Sequence, residues 1–413
     1  MLAGSSLVRA IQQTLRDQHG VLFGRPAIVY RAMYTGRDII ARNSRFAPGY
    51  TDDRGYVPVE WWIMSRTQAD NDIPRQGEGI TRLILSDGQD VSLTDATAAC
   101  GELLFGAYPD HWPLTKVLDI GGQPVVPSYG GDPEVPPIPF HTHAGAIVDG
   151  RARPPGKLEA YFFPPVDVPP YHADLGRVVT RLGLRPGATK EQVRVAIDQF
   201  GRSDDLYALG AVYEVHPYEG WTIPAGTLHA PGPWPTFEIQ YPQDDFNFCA
   251  WQLGTRLEGD ELARLRQELC LRGLKDAGDV LAQAIDWATS TDARFRERFH
   301  RPSRELESGP WGRRLRIFFD EFYGEALEIH PGRAYTCKAQ ERPVAGIVWS
   351  GRGTLNGQPV ADISGPAPVE FLITPGHDAH FENTSGVTLM VYLIYPMQRP
   401  PRVGMELESI SGR

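Results

Sequence analysis

Very little in this sequence ties the chain to an oxidising compartment, to nucleic acid or to a lipid bilayer. Its 413 residues hold only four cysteines, Cys100, Cys249, Cys270 and Cys337, with no Cys-x-x-Cys pair among them. So sparse a set cannot build a disulfide framework in a chain this long, and the thiols are expected to be reduced and structural. Excess positive charge is also missing. A formal charge of −10 argues against a broad nucleic-acid or anionic-membrane surface, while leaving room for a local basic pocket. No stretch approaches the roughly 20 apolar residues of a membrane span, and the N-terminus has no basic-then-apolar signal. Cytoplasmic residence is the resulting expectation. No internal repeat stands out either.

What the chain does have is hydrophobic content of 41% over a length exceeding one ordinary domain, enough for sizeable cores. Its most informative residues are His141-Thr-His143, Gly156-Lys157-Leu-Glu159 and Pro224-Ala-Gly-Thr-Leu-His229-Ala. Histidines at i and i+2 on one strand point to the same face. Glu159 opens a short apolar run bounded by prolines, which reads as the next strand. Gly226 can take positive φ in a tight turn that returns His229 to the same space. Three neutral nitrogens and one carboxylate suit a single divalent transition metal. Zinc comes first, and manganese, iron, nickel and cobalt are accepted by the same donor types.

At these residues the chain resembles the cupin superfamily, and more closely the class I mannose-6-phosphate isomerases. Cupins pair a His-x-His…Glu motif with Pro-x-Gly-x-x-His, and the isomerases narrow these to Gly-Lys-x-Glu and Pro-Ala-Gly-Thr-x-His-Ala. Gly156-Lys-Leu-Glu159 and Ile223-Pro-Ala-Gly-Thr-Leu-His-Ala230 match both. Glu60-Trp-Trp-Ile-Met-Ser65 and Trp112-Pro-Leu-Thr-Lys116-Val-Leu-Asp119 are similar to the stretches that precede the first metal motif in those enzymes. Gly183-Leu-Arg-Pro-Gly187 leads into Thr189-Lys-Glu-Gln192, a capping-box pattern, with Val193, Ile197 and Phe200 at helical spacing, as in the family's helical insertion. The likeness covers about residues 55 to 250. Two departures bear on chemistry. His141 stands where the isomerases usually have glutamine, and Asn247 or Phe248 stands where they have an active-site arginine. The second change removes a charge suited to phosphate. Arg151 and Arg153, in the loop before Lys157, are candidate replacements for substrate binding, and the Gly- and Pro-rich stretch from Gly121 to Pro139 suggests a remodelled rim.

The resemblance implies a mainly β fold of two cupin (jelly-roll) barrels with helical additions. Residues 1–254 are read as the metal-bearing cupin, with residues up to about 135 as outer strands and a helical insertion at about 183–206. Residues 255–320 are read as a helical connector. Leu262, Leu265 and Leu269 would share a face with Asp260 as cap and Gly273 as terminator, and a second helix would carry Val280, Leu281, Ile285 and Trp287. Residues 321–413 are read as a second cupin, structural or dimer-forming. Asn356-Gly357 there marks a hairpin turn, but His377 and His380 lack a partner His-x-His. At the N-terminus Ser6 is expected to cap a helix with Leu7, Val8 and Ile11 inward.

For function, the reading is a metal-dependent aldose–ketose isomerase acting through an enediolate on a sugar or sugar phosphate. Lys157 is placed on the same strand face as Glu159, where burial beside a metal would lower its proton affinity and fit it for catalysis. Lys116 and Glu238 are further catalytic candidates, and Gln240 is a substrate-binding one. A small carbohydrate is the expected partner. Two other classes stay open: a different metal-dependent cupin enzyme (epimerase, lyase or dioxygenase) and a non-catalytic sugar-binding cupin.

Overall fold

The protein was analysed as a computed structural model that describes residues 4–32, 40, 43, 50–71, 73–120, 138–145, 147–152, 156–166, 178–203, 205–251 and 257–400. Its architecture is mainly β, with helices on the outside.

Six antiparallel strands build one wall of the first barrel, in the order Gly220–Ile223, Glu159–Phe162, Thr236–Gln240, Leu114–Leu118, Val57–Ile63 and Ala27–Arg31. Strand alternation sorts this sheet into two chemically distinct faces. The register sets Glu159 opposite Gln240, Tyr161 opposite Glu238, Glu238 opposite Lys116, and Lys116 opposite Trp62. Polar groups therefore accumulate on the inner face. The other face presents Trp61, Ile63, Val117, Ala160, Phe162, Phe237 and Ile239, all buried in the largest hydrophobic cluster.

A five-stranded sheet closes the opposite wall: Gly210–Glu214, Val179–Leu184, His229–Ala230, His141–Thr142 and Asn247–Phe248. His229 lies directly across from His141 in it. Its outer face carries Phe140, Leu228 and Ala230, which pack under the helices Lys190–Asp198, Gly259–Leu265 and Ala277–Gln283. The first of these starts at the anticipated capping box. Thr189 accepts from the Gln192 amide while the Gln192 side chain accepts from the Thr189 amide.

The second barrel consists of a nine-stranded and a four-stranded sheet around Leu327, Ile329, Val348, Phe371, Phe381, Val391 and Leu393. Asn356 (φ 49°) and Gly357 (φ 80°) form the expected two-residue turn between Arg352–Leu355 and Gln358–Ala361. The two barrels meet sheet on sheet. Phe237 stacks on Phe318 at 5.4 Å between ring centroids, Phe162 meets Tyr392 edge-on at 5.5 Å, and Trp61 Nε1 donates to Glu370 at 2.6 Å.

Several sequence expectations need correction. The N-terminal strands do not all wrap the first barrel: Val21–Arg25 pairs with Glu370–Ile373 and with Arg82–Ile84, so these strands and Asp90–Ser92 extend the second barrel's sheet. Apolar alternation identifies a strand but not its partner. The segment read as a helical connector ends in two strands, Arg304–Gly309 and Gly312–Phe318. Its second helix is broken into Ala277–Gln283 and Trp287–Ser290, each capped by an aspartate, Asp276 and Asp286. Ser6 and Asp260 lie inside their helices rather than capping them, because Gly4–Asp17 and Gly259–Leu265 start earlier than their apolar periodicity. Among the described residues, no helix is long and apolar enough to cross a membrane.

Candidate metal centre and cavity

His141 and His229 sit on adjacent strands, and His143 follows one residue past the end of its short strand. Two glycines make the approach of their loops feasible. Gly226 (φ 75°) turns the chain before His229, and its amide donates to the His143 carbonyl at 3.0 Å. At Gly156 an added Cβ would lie 2.2 Å from that same carbonyl oxygen, so no other residue fits there. The outcome is that one nitrogen from each of the three rings lies within 4.8 Å of the others, in a fully buried cluster.

Each ring is oriented by a backbone carbonyl. Nδ1 of His141 lies 2.8 Å from the Pro139 oxygen, Nδ1 of His143 2.5 Å from that of Asp245, and Nδ1 of His229 2.8 Å from that of Thr227. A carbonyl can only accept, so the proton must be on Nδ1 and the lone pair on Nε2. The Nε2 atoms of His143 and His229 are buried without a hydrogen-bond partner. Glu159 Oε1 nevertheless lies 2.9 Å from His229 Nε2, and Oε2 3.3 Å from His143 Nε2. Lone pairs aimed at an anionic oxygen at this range repel one another unless a cation lies among them. The donor set therefore fits a divalent metal. Tyr161 completes the carboxylate's surroundings by donating to Glu159 Oε1 at 2.7 Å.

The cavity beside these groups is lined by Lys157, Glu238, Lys116, Glu60, Asp244, Arg31 and Phe248, among others. Lys157 precedes the Glu159–Phe162 strand rather than lying on it, yet its Nζ reaches Glu159 at 2.8 Å, Gln240 at 3.1 Å and Glu238 at 3.7 Å. Its expected loss of proton affinity was tied to a bound metal, and in the metal-free site the balance runs the other way. Burial does lower it, but the carboxylates of Glu159 and Glu238 outweigh burial and hold the ammonium charged. Glu238 shows the reverse. Burial, reinforced by Glu159, pushes its carboxyl up to about 7, and its Oε1 has no hydrogen-bond partner. Burial also lowers His143 to about 4 and His141 well below the usual histidine value. Glu159 is held well below the carboxylate range despite burial, chiefly by Lys157.

These shifts have opposite consequences for stability. His143 falls from 6.5 to about 4, so its contribution is full above pH 6.5 and lost on acidification towards 4. Glu238 rises from 4.5 to about 7, so its carboxylate costs nothing below 4.5 and its full penalty above 7. Metal-free Glu238→Gln protein is therefore expected to be about 2–3 kcal/mol more stable than its parent near pH 8 and equal to it near pH 4. Urea denaturation in chelator at the two pH values checks this, and a gain independent of pH would contradict it.

The remaining sequence candidates divide clearly. Lys116, Glu238 and Gln240 converge with the histidines, since Lys116 and Glu238 are cross-strand partners and Gln240 pairs with Glu159. Arg151 is exposed on a two-residue strand and is not among the cavity-lining residues. Arg153 and most of the Gly121 to Pro139 stretch lie outside the described residues. Of the two residues considered for the arginine position, Phe248 lines the cavity, its ring edge-on to His141 at 6.0 Å. Asn247 turns away to donate to the Cys270 carbonyl at 3.1 Å. In the second barrel, His377 lies 3.0 Å from the Thr374 hydroxyl and His380 2.8 Å from that of Thr336.

Sequence reasoning missed Arg31, Asp244 and the part played by Glu60. Arg31 Nε donates to Glu60 at 2.7 Å and its Nη2 to Asp244 at 2.8 Å. The other oxygens of those carboxylates face Lys116 Nζ at 3.2 and 3.5 Å. A charged residue inside the apolar run Val57-Pro-Val-Glu-Trp-Trp-Ile63 was the available signal for Glu60. Arg31 gave none, because a strand-terminal arginine usually faces solvent.

No protein-family profile and no curated protein matches the sequence. Solved structures do match the fold. The mannose 6-phosphate isomerase of Bacillus subtilis aligns over 91% of this chain and 99% of its own at a TM-score of 0.58 and 16% identity. A candidate mannosephosphate isomerase of Archaeoglobus fulgidus aligns over 91% and 97% at 0.53 and 13% identity. The fold of this chain is thus the fold of these solved isomerases.

Proposed function

We propose that the protein is a metal-dependent aldose–ketose isomerase acting on a small carbohydrate, with His141, His143, Glu159 and His229 as the metal ligands. The observation that carries this reading is the convergence of oriented imidazole lone pairs and an ionised carboxylate beside a lysine and a near-neutral glutamic acid. A divalent metal held there supplies Lewis acidity towards the carbonyl and adjacent hydroxyl oxygens of a sugar.

The chain's own groups supply the rest. Isomerisation needs a base that removes a proton from one carbon and returns it to its neighbour. Glu238, buried in the cavity wall with an unpartnered oxygen and proton affinity near neutrality, suits that task. Lys157, kept as an ammonium by its carboxylate neighbours, is placed to donate towards oxygen as negative charge develops on it. Gln240 accepts from Lys157 and fixes its direction. Burial of Tyr161 and Phe248 along the wall limits water at the reacting carbons.

Interconversion of aldose and ketose by protein reconstituted with zinc, manganese, iron, nickel or cobalt tests the reading directly. Glu238→Gln is expected to lower kcat by about 10²–10⁴ with little change in KM. Oxygen consumption by the iron form without carbonyl transfer would instead favour a dioxygenase, to which three imidazoles and a carboxylate are also suited.

A further inference from the structure

The Glu159 carboxylate is held among neighbours that do not all attract it. Its Oε1 lies 2.9 Å from Nε2 of His229 and its Oε2 3.3 Å from Nε2 of His143, both of which present lone pairs. The Lys157 ammonium draws on Oε2 from 2.8 Å. Repulsion from one side and attraction from the other would move the carboxylate away from the imidazoles. The Tyr161 hydroxyl opposes that movement by donating to Oε1 at 2.7 Å. Beside an ionised carboxylate, which has no proton to give, the phenol is necessarily the donor.

Strand geometry fixes this contact. Glu159 and Tyr161 are two residues apart on the strand Glu159–Phe162, so both side chains leave the same face. The register sets Tyr161 between Trp221 on one neighbouring strand and Glu238 on the other. Its ring is only 2% exposed, in an apolar cluster with Trp221, Phe163 and Leu182. Packing of the ring therefore sets the position of the hydroxyl, and the hydroxyl sets that of the carboxylate. A carboxylate oxygen has two lone pairs. Tyr161 takes one on Oε1 and leaves the second available to an ion.

We infer that Tyr161 is a positioning residue for the metal: its hydrogen bond to Glu159 Oε1 keeps the carboxylate beside the imidazoles against the pull of Lys157. The inference rests on the reading of Glu159 and the three histidines as the ligand set. It gives the two side chains that bind the carboxylate opposed parts. Lys157 is a cation and competes with a divalent ion for Glu159, whereas Tyr161 is a neutral donor and adds no positive charge beside that ion. Tyr161 acts through Glu159 alone and needs no contact with substrate.

The test is the zinc affinity of the full chain, measured by competition with a chromophoric chelator, and it needs no turnover. Tyr161→Phe removes the hydroxyl and keeps the ring in its apolar cluster, and it is expected to weaken zinc binding by about 10–100-fold. The same substitution is then made in a Glu159→Ala chain, where three imidazoles remain to hold zinc. There it is expected to change affinity by no more than about twofold, because the carboxylate through which Tyr161 acts is gone. Tyr161→Met takes the place of Tyr161→Phe should the latter fail to fold, as read from its melting curve. Unchanged zinc affinity in the folded Tyr161→Phe protein overturns the inference and leaves the ligand set intact. An equal loss in both backgrounds also overturns it, by making the ring a packing element for the histidines. A parent chain that binds no zinc overturns the ligand reading as well.

Discussion

Replacing His229 by alanine is expected to abolish both tight metal binding and turnover. Its Nε2 is a fully buried, unpartnered atom 2.9 Å from Glu159, and its Nδ1 is tied to the Thr227 carbonyl. The ring is thereby aimed before any metal arrives. Removing it leaves two imidazoles and a carboxylate that Lys157 can neutralise at 2.8 Å, so the remaining site favours an ion pair over a metal. Loss of an orienting partner alone typically costs about 10–100-fold in metal affinity, and loss of the ligand itself should exceed that. Metal content measured after gel filtration, with circular dichroism to show retained fold, decides the matter. A full metal equivalent retained by the His229→Ala protein would refute the ligand assignment.

The convergence of His141, His143 and His229 was legible in the sequence because its parts are local. His141 and His143 are two residues apart, the Gly226 turn lies three residues before His229, and Gly156 lies three before Glu159. Short spacings of that kind fix direction through strand alternation and turn geometry alone. The capping box at Thr189 and the turn at Asn356-Gly357 were readable for the same reason.

The remote end of the cavity was not legible, because it is assembled by sheet pairing between distant segments. Arg31 meets Glu60 across 29 residues and Asp244 across 213. Nothing in Ala27-Ile-Val-Tyr-Arg31 announces that the strand enters the same sheet as Thr236–Gln240. The same limit misplaced Val21–Arg25, whose alternation suits either barrel. Proton affinities fail to follow from sequence in a related way. Lys157 and Glu238 are 81 positions apart, and each is perturbed by the other through a contact that only the fold creates. Register therefore decided both the buried ion network and the protonation pattern.

Arg31 provides the sharpest separation of stability from ligand binding. Arg31→Met would leave Glu60 and Asp244 buried against a single ammonium, with the Asp70 carbonyl and Asn71 deprived of a donor. Breaking a buried ion network by removing one member typically costs about 3–5 kcal/mol, and the single variant is expected to lose that much in urea denaturation. A network need not stabilise a fold merely because its rupture is costly, since desolvation of the charges offsets their attraction. The combined variant Arg31→Met, Glu60→Leu, Lys116→Met and Asp244→Leu should therefore recover most of the lost stability. If the cavity takes a carbohydrate, the combined variant should also lose measurable affinity for a linear hexitol, because these four residues line the cavity and no charged hydroxyl partner remains among them. Were the combined variant as unstable as the single one, the quartet would be a structural element. Recovery of stability with loss of carbohydrate binding assigns these four buried charges to recognition.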